Sequence, residues 1–496
     1  MDAGILSCVL AALPSVGPQA AQQPESEIRL HVMDGWGRTV DERGVTLVDW
    51  EGHLANPAIK LKVLLPKDAP FPADVYLHGT SSRLHFNRYN GDDRSGVGRT
   101  IKLAQPTDSV EFWMSIFPDR DSKDEAHELV VQLFGPDRRE RTRMRVPVRV
   151  VDQDPPRWKP LYDIVLEYRH DKTGFFRDRE VRRVLRQAAD DWGFFIDQKT
   201  DAVAAGSEPT ELWNPDGFKS TFAVRNPRPY RGFLLYVTGL VHEENRAGGS
   251  PSLIGRPHTL GGAILPIRRS GSVEFDVTGN WNRLGWFLTR GDEDWWVSGQ
   301  LRGEPSDLYS IALHEMGHAL AFESTYPAVG RARAGEGLTS PALKAYHGFT
   351  PTFDPSHHFV SLIDPVSRYG GFGREYDGDM KARRWLLTKS HLLCLEAVGY
   401  RIRRTSAFDP LRVAAKPLVW KHGENAAGRV KADGGVPDYR FLVIQGALPE
   451  GAELDSFTGE LSGRPTETGI FEPLVEVDDN DPTTPPQRTA LSIRVD

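Results

Sequence analysis

The segment 307–322 constrains the fold more than any other part of the sequence. It reads DLYSIALHEMGHALAF, and its spacing predicts a helix with apolar side chains on nearly every side. Ser306 is the predicted N-cap residue of this helix, and Asp307 complements its dipole. A helix this apolar has to be buried, yet it carries two histidines and a glutamate, whose burial is costly unless something binds them. The sequence therefore predicts a core helix that carries a polar site.

The polar residues of this helix form an HExxH pattern. His314 and His318 are four residues apart, so their rings lie on nearly the same face, about 6 Å apart along the axis. Two imidazoles so placed can bind one Zn²⁺ at about 2.0–2.1 Å. Glu315, beside the first histidine, can take a proton from a water that the metal activates. We therefore predict Zn²⁺ as the cofactor, His314 and His318 as metal ligands, and Glu315 as the general base.

The periodicity of the remaining sequence predicts a multidomain chain. Residues 27–153 alternate between apolar and polar side chains in short runs separated by turns, which predicts an N-terminal β-sandwich. Residues 156–406 mix strands with amphipathic helices, at 175–196 and at 388–398, which predicts an α+β domain. Residues 410–496 are again rich in strands and turns. The helix that carries the HExxH pattern falls in the middle domain.

Composition and charge exclude several classes of protein. The formal net charge is −7 and the isoelectric point is near 6.1, so the chain lacks the basic surface that nucleic-acid binding requires. No run of eighteen apolar residues occurs beyond the first positions, which excludes a membrane-spanning helix. The two cysteines, Cys8 and Cys394, are too few for a disulfide-stapled scaffold or a zinc finger.

Residues 1–25 have the form of a candidate signal peptide. An apolar run at 5–16 is followed by small residues and then by polar sequence. This pattern predicts a secreted, periplasmic or cell-surface protein. The alternative is an ordinary frayed N-terminus.

The sequence downstream of the helix resembles the leishmanolysin-type metalloproteases. His358-Phe359, the stretch YDGDM at 376–380 and the stretch LTKSHLLCLEAVGY at 387–400 follow the HExxH helix in the order of that family's elements. Those elements are a third zinc-binding histidine followed by an aromatic residue, a methionine turn, and a helix that ends in Gly-Tyr. The resemblance covers about 311–400.

This resemblance implies a zincin-like catalytic domain over 156–406 that hydrolyses peptide bonds in a protein or peptide substrate. His358 becomes the third zinc ligand and Met380 the turn methionine. Two alternatives for the third ligand stay open. His357 adjoins His358, and a shift of one residue in a loop presents either ring. The carboxylate of Glu396 suits a thermolysin-like arrangement.

Two further stretches bear on function. Residues 268–276 have the pattern of an edge strand, which either pairs with a peptide backbone or is an ordinary edge. The stretch LPEGAELDSFTGELSGRPTETG at 448–469 resembles Ig-like, cadherin-like modules of exported proteins. That resemblance implies a small C-terminal β-sandwich over 410–496, used as a spacer or for adhesion.

Two functions follow from these observations. The first is a zinc-dependent endopeptidase, and the second is an exported adhesion or binding protein whose zincin domain is degenerate and structural. Glu315 distinguishes them, because the residue is indispensable for hydrolysis and has no role in a binding module.

Overall fold

The computed structural model describes residues 29–87, 98–214, 220–240, 247–252, 257–260, 263–277, 286–288, 306–332, 337–353, 363–369 and 384–496. Over these residues the protein is β-rich, with several separate sheets and few helices. Its buried apolar side chains form distinct clusters in the N-terminal, middle and C-terminal parts of the chain. The described chain is therefore built from several β-rich parts.

The N-terminal strands form two sheets around one core. The strands are β1 (His31–Asp34), β2 (Val45–Asp49), β3 (Ile59–Leu64), β4 (Ala73–Gly79), β5 (Leu84–Asn87), β6 (Gly98–Leu103), β7 (Ser109–Ile116), β8 (Glu125–Phe134) and β9 (Glu140–Asp152). Their orders are β1-β3-β7-β5 and β2-β9-β8-β4-β6. In β3 the side chains of Ile59, Leu61 and Val63 enter the core, while the intervening lysines face outward. The predicted alternation is confirmed for this strand.

The middle of the chain combines short strands with helices. Its strands are β10 (Ile164–Glu167), β11 (Pro209–Trp213), β12 (Thr221–Arg225), β13 (Phe233–Leu240), β14 (Ala247–Pro251), β15 (Pro257–Leu260), β16 (Ala263–Arg268), β17 (Ser270–Asp276), β18 (Trp286–Phe287) and β19 (Ser306–Asp307). Its helices are α1 (Arg179–Phe195), α2 (Leu308–Leu320), α3 (Pro327–Arg331), α4 (Pro341–His347) and α5 (Lys389–Val398), with a 3₁₀ turn at Phe175–Arg177. The helices predicted around α1, α2 and α5 are confirmed.

A four-stranded sheet supports the helices. Its order is β10-β13-β17-β14; β10, β13 and β17 run parallel, and β14 runs antiparallel at one edge. Val273 and Phe275 of β17 pack into the same apolar cluster as α1 and α2. Ser270 of β17 faces the opposite way and accepts a hydrogen bond from Thr210 of β11 at 2.9 Å. The sheet is thus covered by helices on one face and by the β11–β12 hairpin on the other.

The prediction of an edge strand at 268–276 was wrong. β17 lies inside the sheet, with β13 on one side and β14 on the other. The edge strand on that side of the sheet is β14, whose sequence AGGSP is rich in glycine and ends in proline. Such a composition gives little strand signal, which is why the sequence pattern missed it.

The C-terminal strands form small sheets around a separate core. The strands are β20 (Arg412–Ala415), β21 (Leu418–Trp420), β22 (Ala426–Asp433), β23 (Arg440–Gln445), β24 (Ala452–Leu454), β25 (Glu460–Gly463), β26 (Gly469–Phe471), β27 (Leu474–Asp478), β28 (Gln487–Ala490) and β29 (Ile493–Val495), preceded by a 3₁₀ turn at Ser406–Phe408. Sheet orders are β20-β22-β25-β24, β21-β29-β26 and β23-β27-β28. None of the helices in the described part of the chain is long and apolar enough to cross a membrane.

The parts contact one another closely. Val48, Trp50 and Phe117, which belong to the N-terminal strands and their loops, pack into the apolar cluster of the middle helices. Arg38 donates a hydrogen bond to the backbone carbonyl of Ser456 in the C-terminal part at 2.6 Å. The N-terminal sheets therefore touch both other parts of the described chain.

Candidate metal centre

The HExxH residues lie in the second half of α2, which is buried along its whole length. The helix begins one residue later than predicted, because the N-cap is Asp307 and not Ser306. The Asp307 carboxylate accepts a hydrogen bond from the Ser310 backbone N–H at 3.3 Å. Trp192 of the neighbouring helix α1 donates its indole N–H to the Leu313 carbonyl at 2.9 Å. These contacts fix the position of the helix turn that carries the first histidine.

The three polar side chains converge. His314, Glu315 and His318 are 4%, 8% and 7% exposed, and one ligand atom from each lies within 4.8 Å of the others. The two Nε2 atoms of His314 and His318 are 3.1 Å apart, with the ring planes at 85°. Two nitrogens bound to one tetrahedral zinc at about 2.05 Å are about 3.3 Å apart. The donor atoms therefore fit a shared zinc ion.

The tautomer of His318 also suits metal binding. Its Nδ1–H donates to the Phe322 backbone carbonyl at 2.7 Å. Phe322 lies just beyond Ala321, the C-cap residue of α2, so its carbonyl takes no part in the hydrogen bonds of the helix. This bond leaves the Nε2 lone pair of His318 pointing towards His314. Histidines that bind metals are commonly oriented in this way by a carbonyl or carboxylate.

An aromatic side chain borders the site. The half-buried Trp385 packs edge-to-face against the His314 ring, with the ring centroids 4.7 Å apart. Trp385 is held in place because its backbone N–H donates to the Ser310 hydroxyl at 2.7 Å. The preceding residue, Arg384, is fully buried and forms an ion pair with Asp307 at 3.1 Å. These contacts hold Arg384 and Trp385 against the N-terminal end of the HExxH helix.

A buried polar network centred on Asp191 contacts the first turn of α2. The Asp191 carboxylate of α1 accepts a hydrogen bond from the Tyr309 hydroxyl at 2.7 Å, contacts His53 Nδ1 at 3.0 Å, and accepts one from Arg120 at 2.8 Å. Burial lowers the pKa of His53 to about 4, so its ring is neutral at pH 7. Burial opposes ionisation of Asp191, but the neighbouring His53 and Arg120 outweigh it and lower its pKa to about 2. Residues of the N-terminal part thereby hold the helix that carries the histidines.

The structure places Glu396, one candidate third ligand, away from the histidines. Its side chain is 32% exposed and forms an ion pair with Arg404. Glu396 does not belong to the group formed by His314, Glu315 and His318. The thermolysin-like alternative therefore lacks its ligand in this structure.

Other downstream acids and histidines have structural partners. Asp364 accepts hydrogen bonds from the Tyr346 hydroxyl at 3.0 Å and from the Ser390 hydroxyl at 2.7 Å. His391 is buried and accepts a hydrogen bond at Nδ1 from the Thr388 backbone N–H at 2.9 Å, as part of the cap of α5. His357, His358 and Met380 lie outside the described residues, as does the candidate signal peptide.

Within the described residues a second group of potential ligands occurs, which the sequence did not suggest. It consists of Asp49, Asp119 and Asp152. The guanidinium of Arg83 forms ion pairs with Asp49 and, at 2.6 Å, with Asp119. Arg83 therefore supplies the positive charge, and the group is an ion-pair cluster. Asp49 and Asp152 meet because they are register partners at the ends of β2 and β9, far apart in sequence.

Comparisons with known proteins assign no family. No protein-family model and no curated protein matches the chain. An α-galactosidase candidate from Bacteroides fragilis shares 22% identity over 17% of this chain and 17% of that chain, with a TM-score of 0.15. Extracellular domains 3–6 of protocadherin gamma B2 share 8% identity over 95% and 77% of the two chains, with a TM-score of 0.17. The CsuC–CsuE chaperone–tip adhesin complex of Acinetobacter baumannii shares 9% over 38% and 85%, with a TM-score of 0.13. Similarities this low support no inference about fold or function.

Proposed function

We propose that the protein is an exported zinc-dependent endopeptidase. The observation that carries this proposal is the pair of buried imidazole Nε2 atoms 3.1 Å apart on α2, with the Glu315 carboxylate beside them. His314, His318 and His358 are the proposed ligands, with His357 as the alternative to His358. The middle part is proposed to be a zincin-like α+β domain, and the C-terminal part an Ig-like module.

The proposed chemistry follows from the donor set. A bound zinc ion would polarise the scissile carbonyl and lower the pKa of water to about 7. Glu315 accepts the proton that the attacking water loses and then donates it to the departing amine. The Nδ1–H bond of His318 to Phe322 keeps its ring fixed during the reaction. The low exposure of Glu315 strengthens its electrostatic interaction with the reacting groups, because water does not screen it.

The edge strand β14 supports an extended peptide as substrate. β14 lies against α2 and, within the described residues, pairs only with β17. A strand with one unpaired edge can bind a peptide backbone by β-addition. A peptide bound there would pass close to the HExxH helix.

The test compares three proteins for zinc content and for hydrolysis of unfolded casein. Wild type is expected to hold one zinc per chain and to cleave casein. Glu315→Ala is expected to keep zinc and lose at least about 100-fold in rate, since general-base catalysis contributes typically 10²–10⁴-fold. Glu396→Ala is the matched control, and we expect it to keep both zinc and activity because its carboxylate pairs with Arg404 at the surface.

One observation favours the rival function, an exported binding protein with a structural zincin domain. A distance of 3.1 Å between His314 Nε2 and His318 Nε2 also suits a direct N–H···N hydrogen bond without metal. Wild-type protein that holds no zinc, or that holds zinc and is as inert as Glu315→Ala, would exclude the peptidase and favour this rival.

A further inference from the structure

A cleft separates the N-terminal sheets from the C-terminal part. Its volume is about 710 Å³, within the range of about 300–1,000 Å³ typical of ligand sites. One wall is the outer face of β2 and β9, and the other is formed by β22 and the turn that follows it. The residues that line the cleft on both walls include Thr46, Arg149, Arg429, Lys431 and Asp438.

The strand period places cationic side chains in this cleft. Thr46 of β2 is the register partner of Arg149 of β9, and both face outward because their neighbours Leu47 and Val148 enter the core. On the opposite wall, Arg429 and Lys431 are two residues apart in β22 and point to the same face. Two strand faces thereby present basic side chains to one space.

The charge of the cleft is opposite to that of the chain. Arg149, Arg429 and Lys431 line it, together with Arg43, whose charge is offset by ion pairs with Asp41 and Asp455. Asp438 is the single acid among the lining residues that the structure describes. The Asp438 carboxylate accepts a hydrogen bond from the Thr46 backbone N–H at 3.0 Å, and burial raises its pKa. The chain as a whole carries a formal charge of −7. A positive cleft in an acidic protein favours an anionic ligand.

Several of these cations have capacity for a ligand. Lys431 is exposed and takes part in none of the ion pairs found among the described residues. Arg429 donates from Nε to the Thr458 carbonyl at 3.2 Å, which leaves its terminal nitrogens for other acceptors. The side chain of Arg149 is 65% exposed, and its ion pair with Asp124 has an N···O distance of 3.3 Å. Guanidinium groups suit carboxylates because they donate two parallel hydrogen bonds.

The apolar part of the lining argues for a peptide over a polysaccharide. Val151, Ala432 and Pro437 line the cleft between the cations. Phe457 offers less ring surface for stacking with a sugar, because the guanidinium groups of Arg38 and Arg43 lie over its ring at 3.6 and 4.4 Å from the centroid. A sulfated polysaccharide would leave the apolar lining without a complementary surface. We propose that this cleft binds a peptide segment in which acidic and apolar residues alternate.

The test measures binding of a fluorescein-labelled eight-residue peptide of alternating Glu and Val to the full chain by fluorescence polarisation. The cleft variant is Arg429→Ser/Lys431→Ser, and the matched control is Lys416→Ser/Lys421→Ser, which removes two exposed cations of the same C-terminal part outside the cleft. We expect wild type and control to bind equally, and the cleft variant to bind at least 10-fold more weakly. Binding should also weaken with added salt.

The proposal is overturned if wild type binds no peptide, if the cleft variant binds no more weakly than the control variant, or if a Lys-Val peptide of the same length binds equally well. Heparin is the comparison ligand. The peptide assignment is wrong, and the occupant is a polysaccharide, if heparin binds tightly, if its binding requires Arg429 and Lys431, and if it displaces the bound peptide. Because casein hydrolysis is measured separately, failure here leaves the proposed peptidase function intact.

Discussion

Glu274 is predicted to make the free energy of unfolding fall as pH rises, which is opposite to the usual effect of an acidic side chain. This residue of β17 is 1% exposed, and burial raises the pKa of its carboxyl from 4.5 to about 8, although a hydrogen bond with Ser272 partly opposes the shift. At pH 7 the folded chain therefore keeps the proton that the unfolded chain has lost. Because the folded state binds more protons, the free energy of unfolding falls as pH rises from 4.5 towards 8.

The magnitude follows from the shift. Each pH unit between these limits removes about 1.4 kcal/mol, so about 3 kcal/mol is lost by pH 7 and about 5 kcal/mol above pH 8. Glu274→Gln keeps the size of the side chain and its hydrogen bond with Ser272 but removes the titration. We expect this variant to match wild type near pH 4.5 and to be more stable by about 3 kcal/mol at pH 7.

The assay is urea unfolding of the full chain at pH 4.5, 6, 7 and 8.5, with hydrogen exchange of β17 used to identify the transition that contains it. Glu453→Gln, on an exposed position of β24, is the control and should follow wild type at every pH. Unfolding free energies of wild type and Glu274→Gln that differ by the same amount at every pH would refute the reasoning.

The other predictions concern the buried networks and the metal. Asp191→Ala leaves Arg120 and Tyr309 without their acceptor, so we expect a loss of about 3 kcal/mol in unfolding free energy, measured by thermal or urea unfolding; an unchanged midpoint would show that the network contributes nothing. Burial lowers the pKa of His391 to about 4, so the unfolded state binds a proton first and about 3 kcal/mol of stability should be lost between pH 6.5 and 4. His391→Asn should remove that part of the acid dependence, and an equally steep wild-type and variant profile would contradict it. Zinc at 100-fold excess over its dissociation constant should stabilise wild type by about 2.7 kcal/mol and leave His318→Ala unchanged, as measured by the melting temperature with and without a chelator.

Local patterns predicted the elements that hold the candidate site. The spacing of His314 and His318 on an apolar segment predicted a buried helix with both rings together, and both features are present in the structure. The alternation of Ile59, Leu61 and Val63 likewise predicted which side chains enter the core. These features depend on residues within a turn or two of each other, where helix and strand geometry fix the neighbours.

Contacts between distant residues were not predictable in the same way. Nothing near Asp191 in the sequence indicates that His53 and Tyr309, which are 138 and 118 residues away, meet it. The edge position of β14 depends on which strands pair, and its glycines carry no pattern that reports it.

The sequence by itself determined the helix of the candidate metal centre, the residues that face one another on it, and the inward and outward faces of the strands. Only the tertiary structure decided that the N-terminal part supports this helix through Asp191, and that β9 and β22 bring their cations to one cleft. The physical reason is that periodicity acts between neighbouring residues, whereas these sites join segments separated by 71 residues or more, which meet only when the cores of the separate parts pack together.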